Sequence, residues 1–208
     1  MATVIAEMSM SLDGFVADAS DGIDEVFAWF LTGDIEVPTA DPQFPVRATS
    51  EASAREFREA LVNVGAALTG RRTFELADGW GGQHPMGVPT FVVTHSVPDG
   101  WPREGSTVHF ATDGIESAVE QAKAAAGEKV VGVGGADVAQ QCLNAGLLDG
   151  IRVNLVPVLL GDGVPFFANL AGTPVWLDDP RVVEGARVTH LDYRLGKDWG
   201  AGDSEERG

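Results

Sequence analysis

Three stretches of this chain carry residue types that hold phosphate, each by a different physical route. In Val133-Gly134-Gly135-Ala136-Asp137-Val138 an apolar run ends in glycines just before a helix-forming stretch, so free backbone N–H groups and a helix dipole point at one spot. Glycine there lets the backbone approach a pyrophosphate with no Cβ in the way. The spacing departs from G-x-G-x-x-G because Asp137 stands in the third glycine's place, and a capped, tight turn between strand and helix is the competing reading. In Thr69-Gly70-Arg71-Arg72-Thr73-Phe74-Glu75 two guanidinium groups and a hydroxyl meet at a strand-to-helix junction, in a chain with 14 basic residues. A planar guanidinium fork suits phosphate oxygens, while a solvated arginine pair balancing Glu75 is the plain alternative. In Val92-Val93-Thr94-His95-Ser96-Val97-Pro98 an apolar strand ends in three polar side chains, where α/β sheets gather their ligands, although alone it reads as an ordinary strand exit.

A different chemistry is written into the first apolar run. Glu7, Ser9 and Ser11 alternate with Met8, Met10 and Leu12, so a strand there has one polar face. Strands of a parallel sheet are apolar on both faces, and a polar face inside a core needs partners that a substrate cleft can supply. Glu7 then anchors an amide or amino edge of a heterocycle, with Asn154 reaching in from a neighbouring strand. The other reading is an exposed carboxylate on an edge strand. His84, His109 and His190 fall in predicted loops or strand ends and read as surface or packing groups. No histidine spacing suggests a metal site, and no G-x-S-x-G marks a serine hydrolase.

The elements that must position these residues follow from periodicity. Strands are predicted at Thr3 to Met10, Val88 to Thr94, Val108 to Ala111, Val130 to Val133 and Ile151 to Leu160, with Val182 to Leu195 closing as a hairpin strand. Helical spacing marks Asp24 to Leu31, Ser53 to Leu68 with an exit into a strand at Ala67 to Gly70, a short helix from about Arg72, Ile115 to Ala126, and Ala136 to Ala145. Gly33 to Ser50, rich in Pro, Asp and Thr, reads as a long loop or lid. Such alternation gives an α/β fold: a mostly parallel central sheet, helices on both faces and an antiparallel finish. Residues 1–195 are expected to form one domain, and residues 196–208 a disordered acidic tail.

Composition narrows the partners. A net charge of −17 over 208 residues opposes approach to nucleic acid or an anionic membrane, and no apolar run is long enough to cross a bilayer. The single cysteine, Cys142, excludes an internal disulfide and reads as a small buried hydrophobe. With no basic, apolar leader at Met1 to Glu7, the expected location is the cytoplasm. The apolar surplus of Ile151 to Leu160 and Gly161 to Phe167 leads us to expect a homodimer.

Taken in order, Ser9-Met10-Ser11-Leu12-Asp13-Gly14, Gly70-Arg71-Arg72-Thr73, Gly134-Gly135, Gly146-Leu147-Leu148-Asp149 and Pro157-Val158-Leu159-Leu160-Gly161 resemble the dihydrofolate-reductase superfamily, and more closely its branch containing the reductase domain of riboflavin biosynthesis. The resemblance implies an NADPH-dependent reductase acting on a small heterocyclic substrate. It implies that Gly134, Gly135, Ala136, Asp137 and Val138 cradle the pyrophosphate. It assigns the adenosine end to Arg71, Thr73 and the corner Thr94, His95, Ser96, counts Gly70 and Arg72 among the cofactor-binding residues, and places Ser9 with the Val16-Ala17 backbone near the nicotinamide. One departure bears on the substrate. The acidic residue that folate reductases carry on the first helix is replaced by Val26, with Glu25 pointing elsewhere, so folate reduction is not expected and Glu7 is the substitute acid. A cofactor-sensing module without turnover, and a flavin or deazaflavin in the same cleft, are the alternatives.

Overall fold

In the computed structural model, which describes residues 1–196, the first strand lies in the interior of the main sheet. β1 (Val4–Ser11) buries Val4 and Ala6 on one face and Ser9 and Ser11 on the other, so it is covered on both sides. Chain order continues with β2 (Phe15–Ala17), α1 (Asp24–Leu31), β3 (Ile35–Val37), β4 (Val46–Ala48), α2 (Glu51–Asn63), β5 (Val64–Gly70), α3 (Arg71–Leu76) and a turn of left-handed backbone at Asp78–Gly82. It ends with β6 (Thr90–Val93), β7 (Val108–Ala111), α4 (Ile115–Ala126), β8 (Val130–Val133), α5 (Ala136–Asn144), β9 (Gly150–Val156), β10 (Val164–Pro165), β11 (Arg181–Gly185) and β12 (Val188–Arg194).

The main sheet has the order β11-β12-β9-β1-β8-β5-β6-β7. Its neighbours pair in parallel from β9 to β7, and β12 and β11 add the antiparallel finish. The α/β architecture expected from the sequence is the one observed. Ala118, Val119 and Ala122 of α4 and Val138, Ala139 and Cys142 of α5 join Val4, Ala6, Val131 and Val133 in the largest buried cluster. The opposite face of β1 meets α1, whose Trp29 indole N–H donates to Ser9 Oγ at 2.9 Å. α2 starts at Ser50, whose hydroxyl accepts from Ser53 N, and α2 packs along β11.

Several expectations are corrected. Gly33 to Ser50 is no plain loop: β3 and β4 form a hairpin whose Val37, Val46 and Ala48 are buried beside Ala54 and Phe57 of α2. The central position expected for the first strand is observed, since β8 and β9 flank β1, and the edge-strand alternative for Glu7 falls away. The helix from Ser53 stops at Asn63, and strand geometry begins at the β-branched Val64 rather than at Ala67. β9 stops at Val156 because Pro157 has no N–H to donate, and Pro89 delays β6 to Thr90 in the same way. The closing strand is two, joined at Ala186-Arg187. His109 and His190 lie inside β7 and β12 rather than at strand ends.

The apolar stretch behind the expected homodimer is only partly buried within the chain. Ile151, Val153, Val156 and Phe166 are buried, leaving Leu159 and Phe167 exposed. Among the described residues no helix is long and apolar enough to cross a membrane. The acidic tail, beyond Gly196, lies outside the described residues.

Candidate functional site

Three parallel strands deliver the phosphate-type residues to one rim. β5, β8 and β6 lie side by side and end at Gly70, Val133 and Val93, so the segments that follow them meet above the same edge of the sheet. Gly135 precedes α5 with φ +95°, a conformation open to glycine, and no side chain caps the helix. The first N–H groups of α5 therefore have no partner within the helix. Thr69 and Thr73 flank this point. A Cβ added to Gly135 would stand 3.0 Å from Thr73 Oγ1 and 3.6 Å from Thr69 Oγ1. Thr69 Oγ1 is buried and has no hydrogen-bond partner. Such an orphan is uncommon in a folded protein, and a water molecule or a ligand oxygen would satisfy it. Backbone donors, two hydroxyls and the absence of a Cβ fit a pyrophosphate. Two donors drop out, because Gly134 N–H is spent on the Leu68 carbonyl at 2.9 Å and Gly135 N–H on Met8 Sδ at 3.1 Å. Asp137 is exposed and accepts from Gln141 Nε2, so it is not a cap.

The Arg71 guanidinium reaches across to the end of β6, donating to the Ser96 carbonyl at 3.0 Å and lying 3.5 Å from Thr94 Oγ1. Its Nε is held by Glu75 one turn along α3. Arg72 turns the other way and pairs with Asp21 in the loop before α1, and that carboxylate raises its pKa. Arg71, Thr94 and Ser96 are thus brought together, Arg72 is diverted, and His95 is exposed beside them. The Arg71–Glu75 pair is an exposed ion pair of the kind worth about 0–1 kcal/mol, a weak obstacle to a competing phosphate. Val16 and Ala17 are buried on β2, which pairs with β10.

The polar face of β1 leads to a second feature. Glu7, Trp29, Glu56, Phe57, Arg152, Asn154 and His190 line a cavity of about 20 Å³, room for one water molecule. Arg152, opposite Glu7 in register, donates to Glu7 at 3.1 Å and to Asp192 at 3.0 Å. Burial works against charge on Arg152, but Glu7 and Asp192 outweigh it and its pKa rises. Arg181 pairs with Glu56, whose carboxyl is held below its ordinary pKa by that hydrogen bond against the opposing effect of burial. Asn154 Nδ2 lies 3.4 Å from Glu7 Oε1, so the two residues expected to meet do meet. Ser9 is 2% exposed, with Trp29 on its hydroxyl.

Sequence reasoning gave Thr69 no role within its phosphate-type stretch, read His190 as a surface or packing group, and did not single out Ser53, Trp29 or Arg152. Only Arg152 left a signal, a charge amid the apolar β9 two residues before Asn154. On α1, Val26 is fully buried and Glu25 exposed, so neither offers an acid to this cavity. Cys142 is buried with its thiol pushed up to about 12, chiefly by burial, which suits a packing role. Among the described residues no cluster of His, Cys, Asp or Glu is placed to hold a metal ion.

Comparison with known proteins gives this geometry a family setting. The family model of the RibD C-terminal domain matches residues 2–179. Among solved structures, a candidate riboflavin biosynthesis protein from Shewanella sp. PV-4 aligns with TM-score 0.67 and 22% identity, over 95% of this chain and all of its own. A diaminohydroxyphosphoribosylaminopyrimidine deaminase/5-amino-6-(5-phosphoribosylamino)uracil reductase from Thermotoga maritima aligns with TM-score 0.62 and 16% identity, over 94% of this chain and 57% of that one. Dihydrofolate reductase from Enterococcus faecalis, complexed with NADP(H), aligns with TM-score 0.53 and 18% identity, over 94% and 97%. At these identities the likeness is one of fold. No curated protein matches the chain in sequence at a significant level.

Proposed function

The chain belongs to the RibD C-terminal domain family, and from that premise we propose that it is an NADPH-dependent reductase of a small heterocycle, of ribosyl-pyrimidine or pterin type. The observation that carries this reading is the unpartnered, buried Thr69 hydroxyl, set with Thr73 beside a glycine whose missing side chain leaves room at the head of α5. A nicotinamide bound here would supply a hydride to a C=N or C=O group of the substrate. Everything else falls to the chain. Gly134 to Val138, Thr69 and Thr73 bind the pyrophosphate. Gly70, Arg71, Thr94 and Ser96 address the adenosine end and its 2′-phosphate, with Arg72 and His95 at the margin. Ser9 and the Val16-Ala17 backbone lie on the nicotinamide side.

Glu7 and Asn154 hold the substrate's polar edge, Glu7 as an acceptor paired with Arg152 and Asn154 as a donor. Dihydrofolate is a poor candidate, because Val26 leaves α1 without a proton donor and such a loss costs on the order of a hundredfold. The test is to incubate the protein with NADPH and a panel of ribosylaminopyrimidines, pterins and dihydrofolate, following loss of NADPH absorbance. Turnover of a pyrimidine or pterin, with little on dihydrofolate, is the expected result. NADPH bound tightly with no turnover on any member would favour a sensing module, and a flavin or deazaflavin retained on purification would replace the cofactor assignment.

A further inference from the structure

One polar group in the Glu7 cavity is oriented by residues outside it. Asn154 can offer Glu7 either its amide nitrogen or its carbonyl oxygen, and the two choices give opposite recognition chemistry. Its neighbours decide between them. A carboxylate only accepts, so the atom 3.4 Å from Glu7 Oε1 has to be Nδ2, which leaves Oδ1 facing His190 Nδ1 at 2.7 Å. That nitrogen must then carry a proton. Across the ring, Ser50 Oγ donates to Ser53 Oγ at 2.9 Å, and the Ser53 hydroxyl proton is left for His190 Nε2 at 3.0 Å. The imidazole is thus neutral, a donor to Asn154 and an acceptor from Ser53. His190 and Asn154 are 3% and 5% exposed, and Trp29 lies edge-on to the ring at 5.0 Å, so neither side chain is free to turn. Hydrogen bonds run in one direction from Ser50 on α2 to Glu7 on β1.

We propose that His190 is a positioning residue: it locks the Asn154 carboxamide with its nitrogen toward the cavity, and the Glu7 acceptor beside the Asn154 donor selects ligands whose edge carries an N–H next to a C=O. Both groups keep hydrogen-bonding capacity, and a ring edge reaches them from the partly exposed Glu7 side only when the cavity of about 20 Å³ widens to admit it. Asn154 Nδ2 has a second proton beyond the one given to Glu7, and the carboxylate has lone pairs beyond those taken by Asn154 and Arg152. The inference rests on the proposed reductase reading, in which Glu7 and Asn154 face the substrate.

Two neutral probes test it in the NADPH-saturated protein, followed by NMR at the Trp29 indole and the Asn154 carboxamide. 2-Pyridone has the N–H beside C=O, and N-methyl-2-pyridone lacks the N–H. Wild type should bind the first at least about tenfold more tightly. His190→Asn keeps an amide donor where Nδ1 stands and should keep that preference. His190→Asp puts an acceptor there, turns the carboxamide, and should lose about tenfold or more of the 2-pyridone affinity. Nitrogen NMR of the wild-type ring should show a protonated Nδ1 and a bare Nε2, and this decides the matter if the Asp variant does not fold. A bare Nδ1, unchanged 2-pyridone binding in folded His190→Asp, or equal losses in the Asn and Asp variants overturns the proposal. NADPH binding with no response to either probe also overturns it and leaves the cofactor assignment standing. Failure to bind NADPH would sink the reductase reading, while the ring tautomer would still judge His190.

Discussion

At the scale of single residues, a buried hydroxyl without a partner destabilises a fold by about 1–3 kcal/mol, and Thr69 carries one. Thr69→Val removes the hydroxyl at nearly constant shape. If the hydroxyl waits for phosphate, the variant should melt at or above the wild-type temperature while binding NADPH and NADH about five- to tenfold more weakly, the two alike because the pyrophosphate is common to both. A lower melting temperature with unchanged cofactor affinity would make Thr69 a structural residue. His84 gives a second prediction. Burial depresses its pKa from 6.5 to about 4, in keeping with Nδ1 accepting the Met86 N–H at 3.2 Å and the ring lying 4.8 Å from that of Trp80. A histidine depressed in the folded state binds protons more readily when unfolded, so its contribution is complete above about pH 6.5 and is lost as pH falls toward 4. His190, also depressed chiefly by burial, acts in the same direction. Glu56 and Asp13 are held below the ordinary carboxylate range and titrate later. Thermal melts should therefore show stability falling by on the order of 1 kcal/mol between about pH 6.5 and pH 5, and His84→Asn should flatten that slope. A flat wild-type profile would contradict this account.

At the scale of elements, most of the frame was legible because period and breakers act locally. The spans of α1, α4 and β7 follow from spacing alone, and prolines explain where β6 and β9 start or stop. What stayed hidden depends on partners distant in sequence. Nothing local says that Val37, Val46 and Ala48 have a helix to pack against, so a Pro-rich stretch read as a loop is a buried hairpin. Nor does local pattern say that His190 faces Asn154 and Ser53, which come from β9 and α2. Two of the shared motifs prove to be fastenings. Asp13 accepts from Leu160 N and Gly161 N, tying the turn after β1 to the segment after β9, and Asp149 accepts from Val4 N at the start of β1. The β3–β4 hairpin is clamped where Gly33 meets Ala48: a Cβ on Gly33 would lie 2.0 Å from the Ala48 carbonyl oxygen. Gly33→Ala should therefore cost about 2–3 kcal/mol, read by denaturant unfolding, and should loosen hydrogen exchange in β3 and β4. A neutral effect would mean the hairpin moves freely, as a lid would.

At the scale of the whole molecule, the proposed reductase would have to attract a polyanionic cofactor with a net charge of −17. The long-range field opposes the encounter, so selectivity for the extra 2′-phosphate of NADPH has to come from a local group. In the proposed reading Arg71 is that group, held between Glu75, Thr94 and Ser96. Its exposed pairing with Glu75 is weak enough to exchange for a dianion, and a charge-assisted contact of that kind is worth roughly 1.5–3 kcal/mol. The account is tested most directly by calorimetric titration of NADPH and NADH into the wild type and Arg71→Ala at one fixed salt concentration. The wild type should bind NADPH more tightly than NADH, and Arg71→Ala should lose about ten- to a hundredfold for NADPH while NADH is nearly unchanged. Equal losses for the two cofactors, or a wild type that binds neither, would contradict it.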